Sequence, residues 1–123
     1  MFWIRIGSIF MFFGVVLGAF GAHALRGRLA EDMLAVFETG VRYHFYHALG
    51  LFVVAWLSKV HPSGWVSGAG WCFIAGIVIF SGSLYILSMS GVRWWGAVTP
   101  LGGVAFLAGW LALAVATIRP TLS

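Results

Sequence analysis

Three histidines are the residues of this sequence best equipped for chemistry. His23 closes a long apolar run, and His44 and His47 open the next one, three positions apart and therefore on one side of a helix. Arg42, Tyr43 and Tyr46 surround the second pair. Glu38 precedes Arg42 by four residues, the favourable order for a helical ion pair. Consecutive apolar runs one and two are expected to lie antiparallel, the connection between them returning the chain to the same depth, which brings all three imidazoles to one membrane face. Imidazoles on neighbouring helices can ligate a metal. A pair at matched depth can hold a haem iron axially. A single imidazole titrating near neutrality can relay protons or bind a polar headgroup. The same residues also suit a structural polar cap, bonded to loop backbone, lipid phosphates and one another. The cap is the expectation here, because no zinc-ligand spacing is present and no thiolate joins the group. No metal or other cofactor is therefore expected. Arg42 cannot be neutralised, so at this depth it needs a carboxylate, a carbonyl or a phosphate, and Glu38 is the nearest carboxylate in sequence. The expected cluster joins His23, His44 or His47, Arg42 and Glu38.

No other constellation points to a reaction. A nucleophile–base–acid set, a phosphate loop and a dinucleotide fingerprint are all missing, so no catalytic residue is assigned and no enzymatic activity is expected. Ser81, Gly82, Ser83 and Tyr85 lie inside an apolar run, where serines bond to the carbonyl four residues back or across to another helix. Thr99-Pro100 either opens a helix or kinks one, according to where that helix begins. Cys72 stands alone in an apolar run and reads as a small hydrophobe.

The elements that position these groups are membrane helices. Of 123 residues, 62% are hydrophobic and 8% charged, too few charges to build a water-soluble surface. The net charge of +4 comes from cations scattered singly near the ends of apolar runs, not from a patch, so nucleic acid is not an expected partner. Four apolar segments of spanning length follow one another: Ile6 to Leu25, Val41 to Leu57, Trp65 to Leu87 and Trp94 to Ile118. The expected fold is an all-α integral membrane four-helix bundle in one domain. A strand-built barrel would alternate polar and apolar residues, and these runs do not. The first connection holds all three acids, Glu31, Asp32 and Glu38, and places Leu29, Met33, Val36 and Phe37 on one helical face. It predicts a short amphipathic helix at the interface between spans one and two.

Ala22-His23-Ala24 resembles a signal-peptide cleavage site, but the 20-residue run before it is long enough to span, so a retained helix is expected. Four spans put both termini on one side. Arg5, Lys59 and Arg119 on that side against Arg26, Arg28, Arg42 and Arg93 on the other leave the orientation open. Gly14, Gly18 and Ala22 form a small-residue stripe in span one, and Ala105 and Gly109 another in span four. Such stripes let backbones approach, and contacts within the bundle are expected to use them before a homo-oligomer does.

Four stretches together resemble a known family. They are Gly18-Ala19-Phe20-Gly21-Ala22-His23-Ala24-Leu25, the run Thr39-Gly40-Val41-Arg42-Tyr43-His44-Phe45-Tyr46-His47-Ala48-Leu49, Phe80-Ser81-Gly82-Ser83-Leu84-Tyr85, and Thr99-Pro100-Leu101-Gly102-Gly103 with Gly109-Trp110 after it. In this order they are similar to the bacterial membrane family known as domain of unknown function 423, and to eukaryotic transmembrane protein 256. The resemblance implies a small multi-pass protein of the cell inner membrane and supports a retained first segment. It supplies no reaction. The expected function is a structural or accessory role, with membrane lipid, a partner protein or a second copy as the other party. A conduit for small solutes, ions or protons, and haem or metal binding through the histidines, are the alternatives.

Overall fold

The computed structural model describes residues 1–118 and Pro120. Arg119, one of the cations weighed for orientation, lies outside the described residues. Those residues are helical throughout, without a strand, in four consecutive helices. They are α1 (Phe2–Leu25), α2 (Glu31–Val60), α3 (Gly64–Ser90) and α4 (Arg93–Ile118). α1, α3 and α4 are each long and apolar enough to cross a membrane. α2 is the longest at 30 residues, and the most polar: it carries all three acids, Arg42, both inner histidines and Lys59.

The amphipathic stretch after span one is therefore not a separate interfacial helix. It is the first two turns of α2, continuous with the second apolar run. No glycine with positive φ and no proline interrupts the chain between Glu31 and Val60, so nothing stops the helix there. The break lies earlier, at Gly27, whose φ of +85° lets the chain turn between α1 and α2. Gly91, with φ +72°, ends α3 in the same way, as its place in a short turn predicts. Ser63 caps the start of α3 by accepting the Val66 N–H at 3.4 Å. α4 opens with a 3₁₀ turn, Arg93–Ala97, and becomes α-helical at Thr99. Pro100 thus sits in a first α-turn, where its missing N–H costs nothing, and no kink is needed.

The helices pack in chain order, α1 on α2, α2 on α3 and α3 on α4. The densest core lies among α2, α3 and α4, around Leu51, Val54, Val66, Ala69, Phe73 and Phe106, with Trp3, Ile6 and Phe10 of α1 against it. Glycines make this possible by bringing side chains onto backbone. A Cβ on Gly14 would lie 3.2 Å from the Phe45 ring, and one on Gly18 3.4 Å from Val41, so both face α2. Ala22 does not continue the stripe: it is exposed, and Gly21 takes the contact, under the ring of Phe37. Steps of four residues drift about 40° each around a helix, so two steps carry Ala22 about 80° off the face that Gly14 starts. In α4 Gly109 is buried under Phe73 while Ala105 is only half-buried, and the close approach one turn earlier is made by Gly102. A Cβ on Gly102 would meet the backbone of Phe80, 2.7 Å from its Cα.

Backbone cannot move aside as a side chain can. Gly102→Ala is accordingly expected to lower stability by about 1–3 kcal/mol, the usual overpacking cost. Gly68→Ala, at a helical position with open space, should be neutral or stabilising by up to about 1 kcal/mol. Melting of the two variants in the same detergent checks this, and equal melting temperatures would contradict it.

Candidate functional site

The two inner histidines lie in the middle of the fold and not at its edge. Extending α2 back to Glu31 puts His44 and His47 beside the midpoint of that helix, and His44 faces Phe10 and Gly14 at the middle of α1. Both side chains are buried, and both ring nitrogens of each are engaged.

His44 joins three helices. Its Nε2 donates to the Phe10 carbonyl of α1 at 2.7 Å, since a carbonyl can only accept. In the neutral ring Nδ1 is then left to accept the Tyr85 hydroxyl of α3 at 2.9 Å. Gly14 explains the first bond. It sits one turn from Phe10, and a Cβ there would lie 3.4 Å from His44 Cδ2, so a larger residue would crowd the imidazole that reaches the carbonyl.

His47 turns elsewhere and carries its proton on the other nitrogen. Nδ1 donates to the Tyr43 carbonyl one turn back, at 2.8 Å. Nε2 accepts the indole N–H of Trp110 on α4 at 3.0 Å. An indole is only a donor, so this bond requires a neutral His47. The ring stacks face to face on Phe106, with centroids 3.5 Å apart and planes 7° from parallel. Residues three apart on a helix differ by about 60° in direction, enough to send two imidazoles to different neighbours.

A third set ties α3 to its neighbours. Ser81, fully buried in a wide π-turn (Ile77–Ser81), donates to the Gly40 carbonyl of α2 at 2.6 Å. Ser83 bonds to Thr99 of α4 at 2.6 Å and donates to its own Phe80 carbonyl at 2.9 Å. The cross-helix mode expected of these serines is thus present, while the bond of Ser83 within its own helix reaches three residues back and not four. Among the described residues, no buried side-chain nitrogen or oxygen lacks a partner.

The remaining members of the expected cluster lie apart. His23 is exposed, in the π-turn (Gly21–Leu25) that ends α1. Glu38 pairs with Arg26 at 3.9 Å rather than with Arg42. Asp32 pairs with Arg93 at 3.8 Å, and all four of these side chains are exposed. Arg42 is exposed with no carboxylate in ion-pair distance among the described residues. The single His–Arg–Glu cluster expected from sequence therefore resolves into two separate histidine locks inside the molecule and a set of exposed charges at one end. No group of three His, Cys, Asp or Glu side chains is placed to hold a metal ion among the described residues.

Beside the His47 lock, a groove of about 610 Å³ opens between α2 and α4. Tyr43, Tyr46 and His47 form one wall and Val104, Leu107 and Trp110 the other, with Phe80 and Phe106 deeper in. Tyr43 and Tyr46 were legible as polar neighbours of the histidines. Phe106 and Trp110 were not, although Trp110 stood within a recognised stretch, because nothing in their spacing ties them to α2.

Three of the four stretches that suggested a family hold His44, His47, Ser81, Ser83, Tyr85, Thr99 and Trp110 of these contacts, and direct comparison decides the matter. A family described as "Protein of unknown function (DUF423)" matches residues 17–103. The chain belongs to that family. It is 54% identical over 117 residues to the UPF0382 membrane protein YwdK of Bacillus subtilis, covering 94% of this chain and 95% of that one. It is 43% identical over 116 residues to the UPF0382 membrane protein SH2409 of Staphylococcus haemolyticus, with 94% of each covered. No solved structure matches it. DUF423 membership makes this a membrane protein and assigns it no reaction.

Because the two locks have different partners, their energies should add. Tyr85→Phe removes the hydroxyl from His44, and Trp110→Phe removes the indole N–H from His47; each should cost roughly 0.5–2 kcal/mol. The double variant should equal the sum within about 0.5 kcal/mol in detergent unfolding, and a larger coupling would mean one network in place of two.

Proposed function

We propose that this DUF423 protein is a non-enzymatic accessory protein of the bacterial inner membrane, a bundle that crosses it four times and holds a membrane lipid in the α2–α4 groove. The groove carries the reading. At about 610 Å³ it falls within the roughly 300–1,000 Å³ of small-ligand sites, with aromatic and aliphatic walls and few polar atoms. Its back is stiffened by the Trp110–His47 bond and the stacked Phe106 ring, so it is a formed cleft and not a gap between loose side chains.

The way α1 and α2 lie together supports the reading of four crossings. α1 touches α2 from Gly7, against Leu51 and Phe52, to Gly21, against Phe37. In this reading α2 crosses the membrane alongside α1, despite its polar residues. Its histidines spend their hydrogen bonds inside the protein, which removes most of the cost of carrying them through lipid. The start of α2, with its ion pairs to Arg26 and Arg93, serves as the interfacial part.

The engaged nitrogens also weigh between the alternatives. A haem or metal would have to displace the Tyr85 hydroxyl or the Trp110 indole from the acceptor nitrogen to claim an imidazole, and a proton path would end at the backbone carbonyls that the ring N–H groups bond. Lipid binding asks for neither.

Two measurements test the reading. Reporters fused at residue 1 and residue 123 should report the same side of the membrane; opposite sides would overturn the four crossings. Lipid retained through detergent exchange, counted by mass spectrometry, should fall several-fold in Gly103→Leu. Gly103 lines the groove, and a Cβ there has room, so the larger side chain fills the cleft without disturbing the fold. Unchanged retention at an unchanged melting temperature would remove the groove as a lipid site.

A further inference from the structure

Arg42 stands on an exposed face of α2 that continues through Tyr46, Leu49, Val53 and Trp56. It lies one turn, about 6 Å along the axis, from Glu38 and so from the level of the Arg26–Glu38 pair. A guanidinium is charged at any pH the protein meets and is costly on an apolar face unless something anionic meets it. Inside the described molecule nothing does. Glu38 is held by Arg26 and Asp32 by Arg93, while Glu31 is eleven residues away at the start of the helix. On the helix surface Tyr46, one turn on from Arg42, is its neighbour toward the groove, which Tyr43 and Tyr46 line, while Arg42 itself stands outside the lining.

We propose that Arg42 is the headgroup anchor of this groove and that the lipid it selects is an anionic phospholipid, with its phosphate on the guanidinium and an acyl chain along the cleft toward Trp110. This rests on the groove being a lipid site. The shape of the site favours a phosphate over the carboxylate of another protein chain. A flexible arginine stem spans the distance to the ion-pair level, where headgroups lie, while its methylenes cover the apolar face. The planar fork of donors matches two phosphate oxygens at once. An acid on a partner helix would bring a second charge into the apolar layer and add its own desolvation cost. No carboxylate lines the groove to receive the ammonium of a zwitterionic headgroup, so the net negative lipid is the better match.

Native mass spectrometry of the full chain, titrated with phosphatidylglycerol and with phosphatidylcholine of identical acyl chains, tests this. The wild type should bind phosphatidylglycerol roughly fivefold or more tighter, as a charge-assisted bond implies. Arg42→Gln should keep phosphatidylcholine binding and bring the ratio near one, and Arg42→Lys should keep part of the preference. Arg28→Gln, which removes an exposed cation of the same end away from the groove, should leave the ratio unchanged. A preference that survives Arg42→Gln, or that Arg28→Gln abolishes equally, overturns the proposal. So does a change of oligomeric mass in Arg42→Gln without a change of lipid ratio, which would assign Arg42 to a second copy. The groove reading fails separately: Gly103→Leu would then leave both lipids bound, whatever Arg42→Gln does to their ratio.

Discussion

Each imidazole nitrogen buried in an apolar interior must find a partner, because bare polar atoms there forfeit the solvation they had in water. α2 carries two such rings, and their needs determine how the other helices stand. His44 requires the Phe10 carbonyl from α1 and the Tyr85 hydroxyl from α3; His47 requires the Trp110 indole from α4. Four helices that would otherwise slide past one another on apolar contacts are thereby fixed in depth and rotation. Directional bonds supply what a uniformly apolar surface cannot, since lipid competes on nearly equal terms for every aliphatic contact.

Close approach is the second half of the same constraint. A bond of 2.7 Å from an imidazole on one helix to the backbone of the next requires the helices to come near, and Gly14 leaves the space. Gly40 does the same on the α3 side, where Ser81 reaches its carbonyl and a Cβ would lie 2.9 Å from the Tyr85 ring. Phe73 lies between Gly50 of α2 and Gly109 of α4, filling the core at the point where both backbones lack side chains. Glycine and hydrogen bond are not separate devices: without the first, the second would be out of reach.

Much of this was legible in the residue order. Helical class, the apolar runs, the turn at Gly91 and the inward faces of Gly14 and Gly18 all follow from composition and spacing. What failed was position along the helix. Counting span two from Val41, the first residue of the apolar run, placed His44 and His47 at a membrane face. The helix in fact begins at Glu31, because the acids Glu31 and Asp32 suit a helix N-terminus and a neighbouring helix supplies packing for Phe37. Placing the histidines at the edge made Arg42 and Glu38 their natural company; placing them in the middle gives that role to Phe10, Tyr85 and Trp110. Two of those partners act through a main-chain carbonyl and an indole N–H, groups that carry no signature in a sequence. Ala22 failed for a geometric reason, the drift of a four-residue repeat around a helix, which a seven-residue step to Gly21 corrects.

His47 belongs to both the fold and the groove. Its ring is held by Tyr43 and Trp110, which line the groove, and lies flat on Phe106, which lines it too. The wall that a lipid chain would meet is therefore the outer face of a hydrogen-bonded lock. A substitution at His47 must disturb helix position and groove shape together, and its loss of binding would say nothing about which came first. Rim positions separate the two. Gly103 and Arg42 make no bond that holds the helices, so what changes there changes the site alone. The same division explains how one short chain can keep a rigid interior and still present a surface to its surroundings: polarity that would attract water is consumed in the locks, and Arg42, one of the cations without a carboxylate in ion-pair distance among the described residues, stands one turn from Tyr46 of the cleft wall.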